Sequence, residues 1–341
     1  MQETAIAPQP APPEGRLIEM LMGQVVSRLV HLAAVLNLPD HLAEGPKTAE
    51  ELAQLTATHP PTLYRVLRTL ASLGLFTEDD ARRFSLLPFG ETLRAGSPGR
   101  AAALIIGGDS ILHSIQHALY SVQTGKTGFE KAMGLPLFDW LSKHPAEASM
   151  FGQTMVEFHG QEPPAVAAAY DFSGFQTIAD IGGATGNMLA AVLNRYPKTR
   201  GILFDLPHAA AQARTILGQS ALADRIRIES GSFFESVPAG ADAYILSHVI
   251  HDWNENQCVT ILGNVRRVMN PKGKLLIIEM VLPSGDTPHF GKLLDMMMLF
   301  VPGGRERTEA EYDELLVKAG FRLTRVVPTA SLVSVVEAVQ R

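Results

Sequence analysis

From Thr177 to the C-terminus, short apolar runs alternate with helical stretches, and this alternation leaves few folds open. The runs 177–182, 201–206, 225–231, 241–248 and 274–282 read as strands. Strands separated by helices predict a parallel sheet covered on both faces. Two last runs, 321–327 and 334–339, flank a short polar turn at 328–331 and predict a closing antiparallel hairpin. The expected class is α/β.

The first hundred residues follow another rhythm. Leu17, Met20, Leu21, Val25, Leu29, Val30, Ala33 and Ala34 recur at three- and four-residue spacing, giving a helix over 17–36 whose broad apolar face needs a partner. Thr48 with Glu51 reads as a capping box opening a helix through residue 55. Pro60 and Pro61 open a second helix over 62–73, stopped by Gly74. Two β-type runs, 75–77 and 83–86, are joined by an acidic turn at 78–80. Helix, turn, helix and hairpin make a winged-helix pattern. Nucleic acid is not expected as its partner, because the second helix offers only Arg65 and Arg68 and the chain carries a net charge of −6. The pattern reads instead as a dimerisation module, with a homodimer as the expected assembly.

The expected organisation is therefore a disordered segment over 1–12, a winged-helix-like domain over 13–105, and a helical linker with a Rossmann-like domain over 106–341. Linker helices are expected over 105–122, 136–141 and 145–158. Cys258 is the sole cysteine, which excludes an intramolecular disulfide. The histidines show no H-E-x-x-H spacing, so no metal is expected. With no uninterrupted apolar run of membrane-spanning length, a soluble, cytoplasmic protein is expected.

The chemistry concentrates at predicted strand ends. The segment Asp180-Ile-Gly-Gly-Ala-Thr-Gly186 follows the first strand of the sheet and opens a helix. Its glycines permit a sharp turn and close approach of a ligand to the backbone. Ala184 breaks the dinucleotide fingerprint, and no Lys-Ser/Thr pair completes a P-loop. Asp205 ends the second strand about 20 residues on, where a carboxylate accepts hydrogen bonds from ribose hydroxyls. His251 follows the fourth strand, Glu279 ends the fifth, and Glu306 follows Gly303-Gly304. Converging at one sheet edge, they suit a base whose imidazole is oriented by carboxylates. Asp252 is expected to cap the helix starting near Asn254, and Trp253 to pack. The run 293–300 is helical and apolar except for Asp295.

In order along the chain, Asp180 to Gly186, Phe204-Asp-Leu-Pro-His208, Gly231-Ser-Phe-Phe-Glu235, His251-Asp-Trp253, Gly273-Lys274, Glu279 and Pro302-Gly-Gly-Arg-Glu-Arg-Thr308 resemble the caffeate and hydroxyindole type of small-molecule O-methyltransferase. That family includes bacterial enzymes of secondary metabolism. The resemblance implies a class I methyltransferase domain behind a winged-helix dimerisation domain, S-adenosylmethionine as cofactor with S-adenosylhomocysteine as product, and a hydroxylated aromatic acceptor. It implies that Gly182, Gly183 and Gly186 border the methionine part of the cofactor, that Asp205 with Leu206 holds the ribose, that Ser232 and Phe233 flank the adenine, and that Ser247 sits near the methionine carboxylate or sulfonium. His251 would be the base beside Glu279 and Glu306, and Met155, Asp295 and Met298 would border the acceptor. Three residues depart from the common pattern: Ala184 stands for a glycine, Ser232 for an aspartate, and Ser247 for the lysine of plant members. Two other readings fit parts of the same pattern, a winged-helix transcription regulator and a cofactor-binding relative with oxygenating or pericyclic chemistry.

Overall fold

The computed structural model describes residues 12–341, so the expectation of disorder over 1–12 lies, apart from Pro12, outside the described residues. The chain divides into two compact units, one ending at Leu112 and one beginning at His113.

In the first unit the expected elements form. The opening helix runs Pro13–Val35. The Thr48 hydroxyl and the Glu51 carboxylate close the predicted capping box on helix Ala49–Thr56. Helix Pro60–Ser72 starts at the proline pair itself, since proline at the first helical positions loses no hydrogen bond. Strands β1 (Lys47–Thr48), β2 (Phe76–Glu78) and β3 (Arg83–Leu86) pair antiparallel in the order β1-β3-β2. β1 is too short to show a period of its own. Leu52, Leu67, Leu70, Phe76 and Phe84 fill the core. By contrast, Leu17, Ile18, Met20, Leu21 and Met22 of the first helix are exposed, Met20 at 78%. By length and composition alone this helix is long and apolar enough to cross a membrane, a property its interspersed polar residues hide from a search for unbroken apolar runs.

The single linker helix expected over 105–122 is a correction. The chain forms Pro98–Ile106, Asp109–Gln116 and Ala118–Thr124 instead. Gly107 and Gly108 make the first break, where a Cβ on Gly107 would lie 2.5 Å from the His31 side chain. Helices Leu137–Lys143 and Pro145–Phe158 form near their expected places. Gly128–Met133 and Glu162–Ala169 are additional, too short for periodicity to reveal.

The second unit is built on a seven-stranded sheet, with β4 (Thr177–Ile181), β5 (Arg200–Asp205), β6 (Ile226–Ser230), β7 (Ala243–Ser247) and β8 (Lys274–Glu279) mutually parallel. The expected run 274–282 is split. Beyond Glu279 the chain leaves the sheet and β9 (Val281–Leu282) pairs with β10 (Arg307–Thr308). β11 (Phe321–Pro328) and β12 (Ser334–Gln340) form the predicted hairpin, joined antiparallel to β8. The spatial order β11-β12-β8-β7-β4-β5-β6 places β4 beside β7. The chain runs outward in opposite directions from that pair, which opens a crevice at their carboxyl ends where ligands of such sheets bind.

Glu337 of β12 ties this sheet to its surroundings. Its oxygens accept from Tyr170 Oη (2.6 Å), Lys274 Nζ (2.9 Å), Thr324 Oγ1 (2.6 Å) and Arg325 Nη2 (2.9 Å). Burial raises its pKa, but these donors outweigh burial and hold it down to about 2, below the ordinary 4.5. A depressed folded-state pKa stabilises the fold above the unfolded value and loses that contribution as pH falls. Chemical denaturation at neutral pH and at pH values between 4.5 and about 2 should show stability falling with acid, and Glu337→Gln should flatten that dependence. Equal acid sensitivity in both proteins would refute this role.

Candidate active site

Three loops meet at the β4–β7 crevice. After β4 the chain turns at Gly182, φ +74°, whose N–H donates to the Phe204 carbonyl (2.8 Å). A Cβ on Gly183 would lie 2.6 Å from the Asp180 carboxylate, so any other residue forces the buried Asp180 side chain to shift. Ala184 holds φ +48°, a conformation that costs a residue with a Cβ roughly 1–2 kcal/mol. Its N–H is fixed by Asp205 Oδ2 at 2.8 Å, while Asp205 Oδ1 accepts from Leu206 N–H at 2.6 Å. The glycine turn and the acidic strand end therefore form one unit, with the Leu206 side chain exposed over it. Burial pushes the Asp205 carboxyl above its usual range, against the pull of these two N–H groups. Asp180 is fully buried, and burial followed by the charge of Asp205 raises it to about 7.

Ser232 Oγ accepts from Phe234 N–H at 3.3 Å, tightening the turn that presents Phe233. The Phe233 carbonyl is held by Asn264 Nδ2 (2.8 Å), and its ring lies 3.5 Å from where a Gly182 Cβ would be. Glycine at 182 thus keeps open the space between turn and ring. Ser247 ends β7, half-buried.

The short helical turn Ile250–Asp252 carries His251. Glu279 Oε1 accepts from the backbone N–H groups of Val249 (3.2 Å), Ile250 (2.6 Å) and His251 (3.1 Å), and Tyr312 Oη donates to Glu279 Oε2 at 2.5 Å. Glu279 therefore grips the backbone of the turn, whereas Glu306 grips the ring, with Oε1 2.7 Å from His251 Nδ1. Asp252 lies 3.7 Å from the other ring nitrogen, Nε2. Its expected capping role is a correction: Asn254 caps helix Glu255–Val268 with Gln257, which leaves Asp252 facing the His251 ring. Trp253 packs as expected, stacked on Phe138 at 5.0 Å. Burial disfavours the imidazolium, but Asp252, Glu306 and Glu279 outweigh it and raise His251 to about 10. Asp252 is in turn raised by burial to about 6.

The β9–β10 pairing delivers Glu306 to this place. Asp295 Oδ1 accepts from Glu306 N–H at 2.8 Å, and Arg305 N–H donates to the His251 carbonyl at 2.8 Å. Asp295 is thus engaged in holding Glu306. Met155 and Met298 are half-buried on helices Pro145–Phe158 and Phe290–Phe300.

Sequence reasoning missed two features. Arg307 is almost wholly buried beneath the turn, donating to the Ile250 and Arg305 carbonyls. His159, Glu162 and His248 meet beside His251: Glu162 Oε2 lies 2.6 Å from His248 Nε2 and 3.1 Å from His159 Nδ1. The two hydrogen bonds hold Glu162 at about 2 against its burial, and burial lowers His159. An adjacent His-x-x-Glu was visible in the sequence, but nothing there indicated a histidine 86 residues away.

Two family models match, an O-methyltransferase domain over residues 116–322 and an O-methyltransferase dimerisation domain over 18–95. The phenazine O-methyltransferase of Lysobacter antibioticus is 44% identical over 323 residues, covering 94% of this chain and 95% of that protein. The structure of a mitomycin 7-O-methyltransferase superposes with a TM-score of 0.90 at 35% identity, covering 96% of this chain and 98% of the other. An O-methyltransferase from neocarzinostatin biosynthesis, in complex with S-adenosylmethionine and 2-hydroxy-5-methyl naphthoic acid, gives a TM-score of 0.82 at 32% identity, covering 93% and 96%.

A Cβ on Gly304 would fall 1.8 Å from the His251 carbonyl oxygen, a backbone atom that cannot swing away. Gly304→Ala should break the Arg305–His251 bond and cost about 1–3 kcal/mol, as overpacked sites do. Gly263→Ala, in a helix with nothing near its Cβ, should be neutral or stabilising. Thermal unfolding of the two variants compares them, and equal midpoints would contradict the packing.

Proposed function

The chain belongs to the O-methyltransferase family, and from that premise we propose that it transfers the methyl group of S-adenosylmethionine to a hydroxyl of a small aromatic molecule, with His251 as the base. The observation that carries the role of His251 is its Nδ1 on Glu306 at 2.7 Å in the crevice beside the glycine turn. Holding Nδ1 fixes the ring and leaves Nε2 to take the acceptor proton.

Bound S-adenosylmethionine supplies an electrophilic methyl on a sulfonium. The residues at the turn fit it: Gly182, Gly183 and Gly186 would clear the backbone for its amino-acid end, Asp205 with Leu206 would receive the ribose, and Phe233 with Ser232 would border the adenine. Ser247, at the end of β7, would border the methionine carboxylate or the sulfonium. Met155 and Met298 offer adaptable apolar walls for a flat ring, while Asp295 acts through Glu306 as a positioning residue. A phenazine O-methyltransferase and a naphthoate 7-O-methyltransferase among the relatives support an aromatic acceptor. We assign residues 13–105 to a homodimer contact, supported by the match to the dimerisation domain and by the exposed apolar face of helix Pro13–Val35.

At neutral pH three carboxylates hold His251 as imidazolium, so the base form is the minor one in the free protein. A cation bound nearby opposes that charge, and His251 releases its proton more readily with the sulfonium in place. Incubation with methyl-labelled S-adenosylmethionine and a panel of hydroxylated aromatics, followed by mass spectrometry, should show one methyl gained on oxygen. Plotted against pH, kcat/KM should climb from neutrality toward about 10, since raising pH produces the neutral base. No methyl gain on any acceptor by protein that binds the cofactor would contradict the reaction. A rate that falls as pH rises would contradict the base.

A further inference from the structure

The cluster of His159, Glu162 and His248 has no task in methyl transfer as derived above. His159 caps the end of helix Pro145–Phe158, Glu162 opens helix Glu162–Ala169, and His248 follows β7. His248 holds φ +52°, a left-handed conformation that a branched ring side chain adopts at a cost. Such strain persists where the surroundings fix a side chain in one direction. Here that direction is toward Glu162.

We propose that His159 Nδ1, Glu162 and His248 Nε2 form a binding site for a divalent transition metal, with Zn(II) the best match to the ligands. The three ligand atoms lie within 4.8 Å of one another. More telling is their convergence. Two ring nitrogens, from imidazoles whose centroids are 3.9 Å apart, point at a single position that the Glu162 oxygen now fills. In a hydrogen-bonded cluster that oxygen takes both N–H groups. In a metal site the ion takes about that place, and the two rings close on it from their present 3.1 and 2.6 Å to Zn–N of about 2.0–2.1 Å, with Zn–O of about 2.0–2.2 Å. The change needs the carboxylate to withdraw by about 2 Å, the length of the new bond.

Two neutral imidazoles and one carboxylate are a common donor set for borderline divalent ions, and they are too few oxygens for Ca(II) or Mg(II). The side chains of His159 and His248 remain 21% and 15% exposed, which leaves an entry path and a coordination position for water. Three protein ligands with one open position make an exchangeable site rather than a closed structural one. The His251 ring lies 5.1 Å from that of His248, so an ion held here is a neighbour of the base without being its ligand.

Eleven histidines in the chain make nonspecific binding a real competitor, so the test rests on variants. The full-length protein, stripped with chelator, is titrated with Co(II), whose visible absorption reports coordination, and then with Zn(II). One ion per chain should bind, with the intense visible bands of a low-coordinate nitrogen and oxygen site that Zn(II) abolishes. Glu162→Gln, which keeps the side-chain volume, and His248→Ala should each weaken binding by about 100-fold or more. His41→Ala, which removes a histidine that is not one of the three ligands, should not change it. Melting curves confirm that each variant folds, and His159→Ala replaces either that does not. Absence of one-to-one binding at millimolar Co(II), or equal affinity in Glu162→Gln, His248→Ala and the parent, would overturn the site.

Discussion

A single buried oxygen, Oε1 of Glu279, collects three consecutive backbone N–H groups and thereby shapes the turn that carries His251. A fully buried carboxylate is costly unless its lone pairs are met, and hydrogen bonds to a charged acceptor are worth about 1.5–3 kcal/mol each. Here three N–H groups and the Tyr312 hydroxyl meet them. The consequence reaches beyond stability. Because β8 positions Glu279, and Glu279 positions residues 249–251, the imidazole is set by the sheet itself rather than by a mobile loop. Glu306 then arrives through a separate route, the two-residue pairing of β10 with β9, and closes on Nδ1.

The other wall of the crevice follows the same logic. Asp205 ends β5 and binds the N–H of Ala184, so the strand that would present a carboxylate to ribose also holds the turn beside it. That bond accounts for an alanine in a conformation better suited to glycine. Gly182, Gly183 and Gly304 are required for a different reason, the absence of room for a Cβ against Val249, Asp180 and the His251 backbone. Two carboxylates, Glu279 and Asp205, thus shape the site mainly through the backbone groups they bind.

Much of this was legible in the sequence because it rests on local signals. The capping box of Thr48 and Glu51, the proline pair at 60–61 and the alternating strands each fix an element through neighbours within a few residues. The residues His251, Glu279 and Glu306 were also readable as a group at strand ends. Their division of labour was not, since it depends on which atoms meet: Glu279 takes backbone N–H groups, and Asp252 is released to face the ring because Asn254 serves as the cap. Asp295 stood out only as the polar residue of an apolar helix, and that its carboxylate accepts from Glu306 N–H could not be read from the sequence. The split of the expected strand 274–282 and the meeting of His248 with Glu162 depend on contacts between distant segments, which periodicity does not carry.

In the proposed reaction a buried imidazole, oriented by Glu306 on a turn shaped by Glu279, removes the acceptor proton as methyl transfer proceeds. Single-turnover methyl transfer by His251→Ala, on an acceptor whose hydroxyl is un-ionised at the assay pH, measures this most directly. The rate should fall by roughly 10²–10⁴-fold with S-adenosylmethionine affinity little changed, because the proposed cofactor cradle stands on β4 and β5. A near-normal rate in that variant would contradict it and leave proximity alone to drive the reaction.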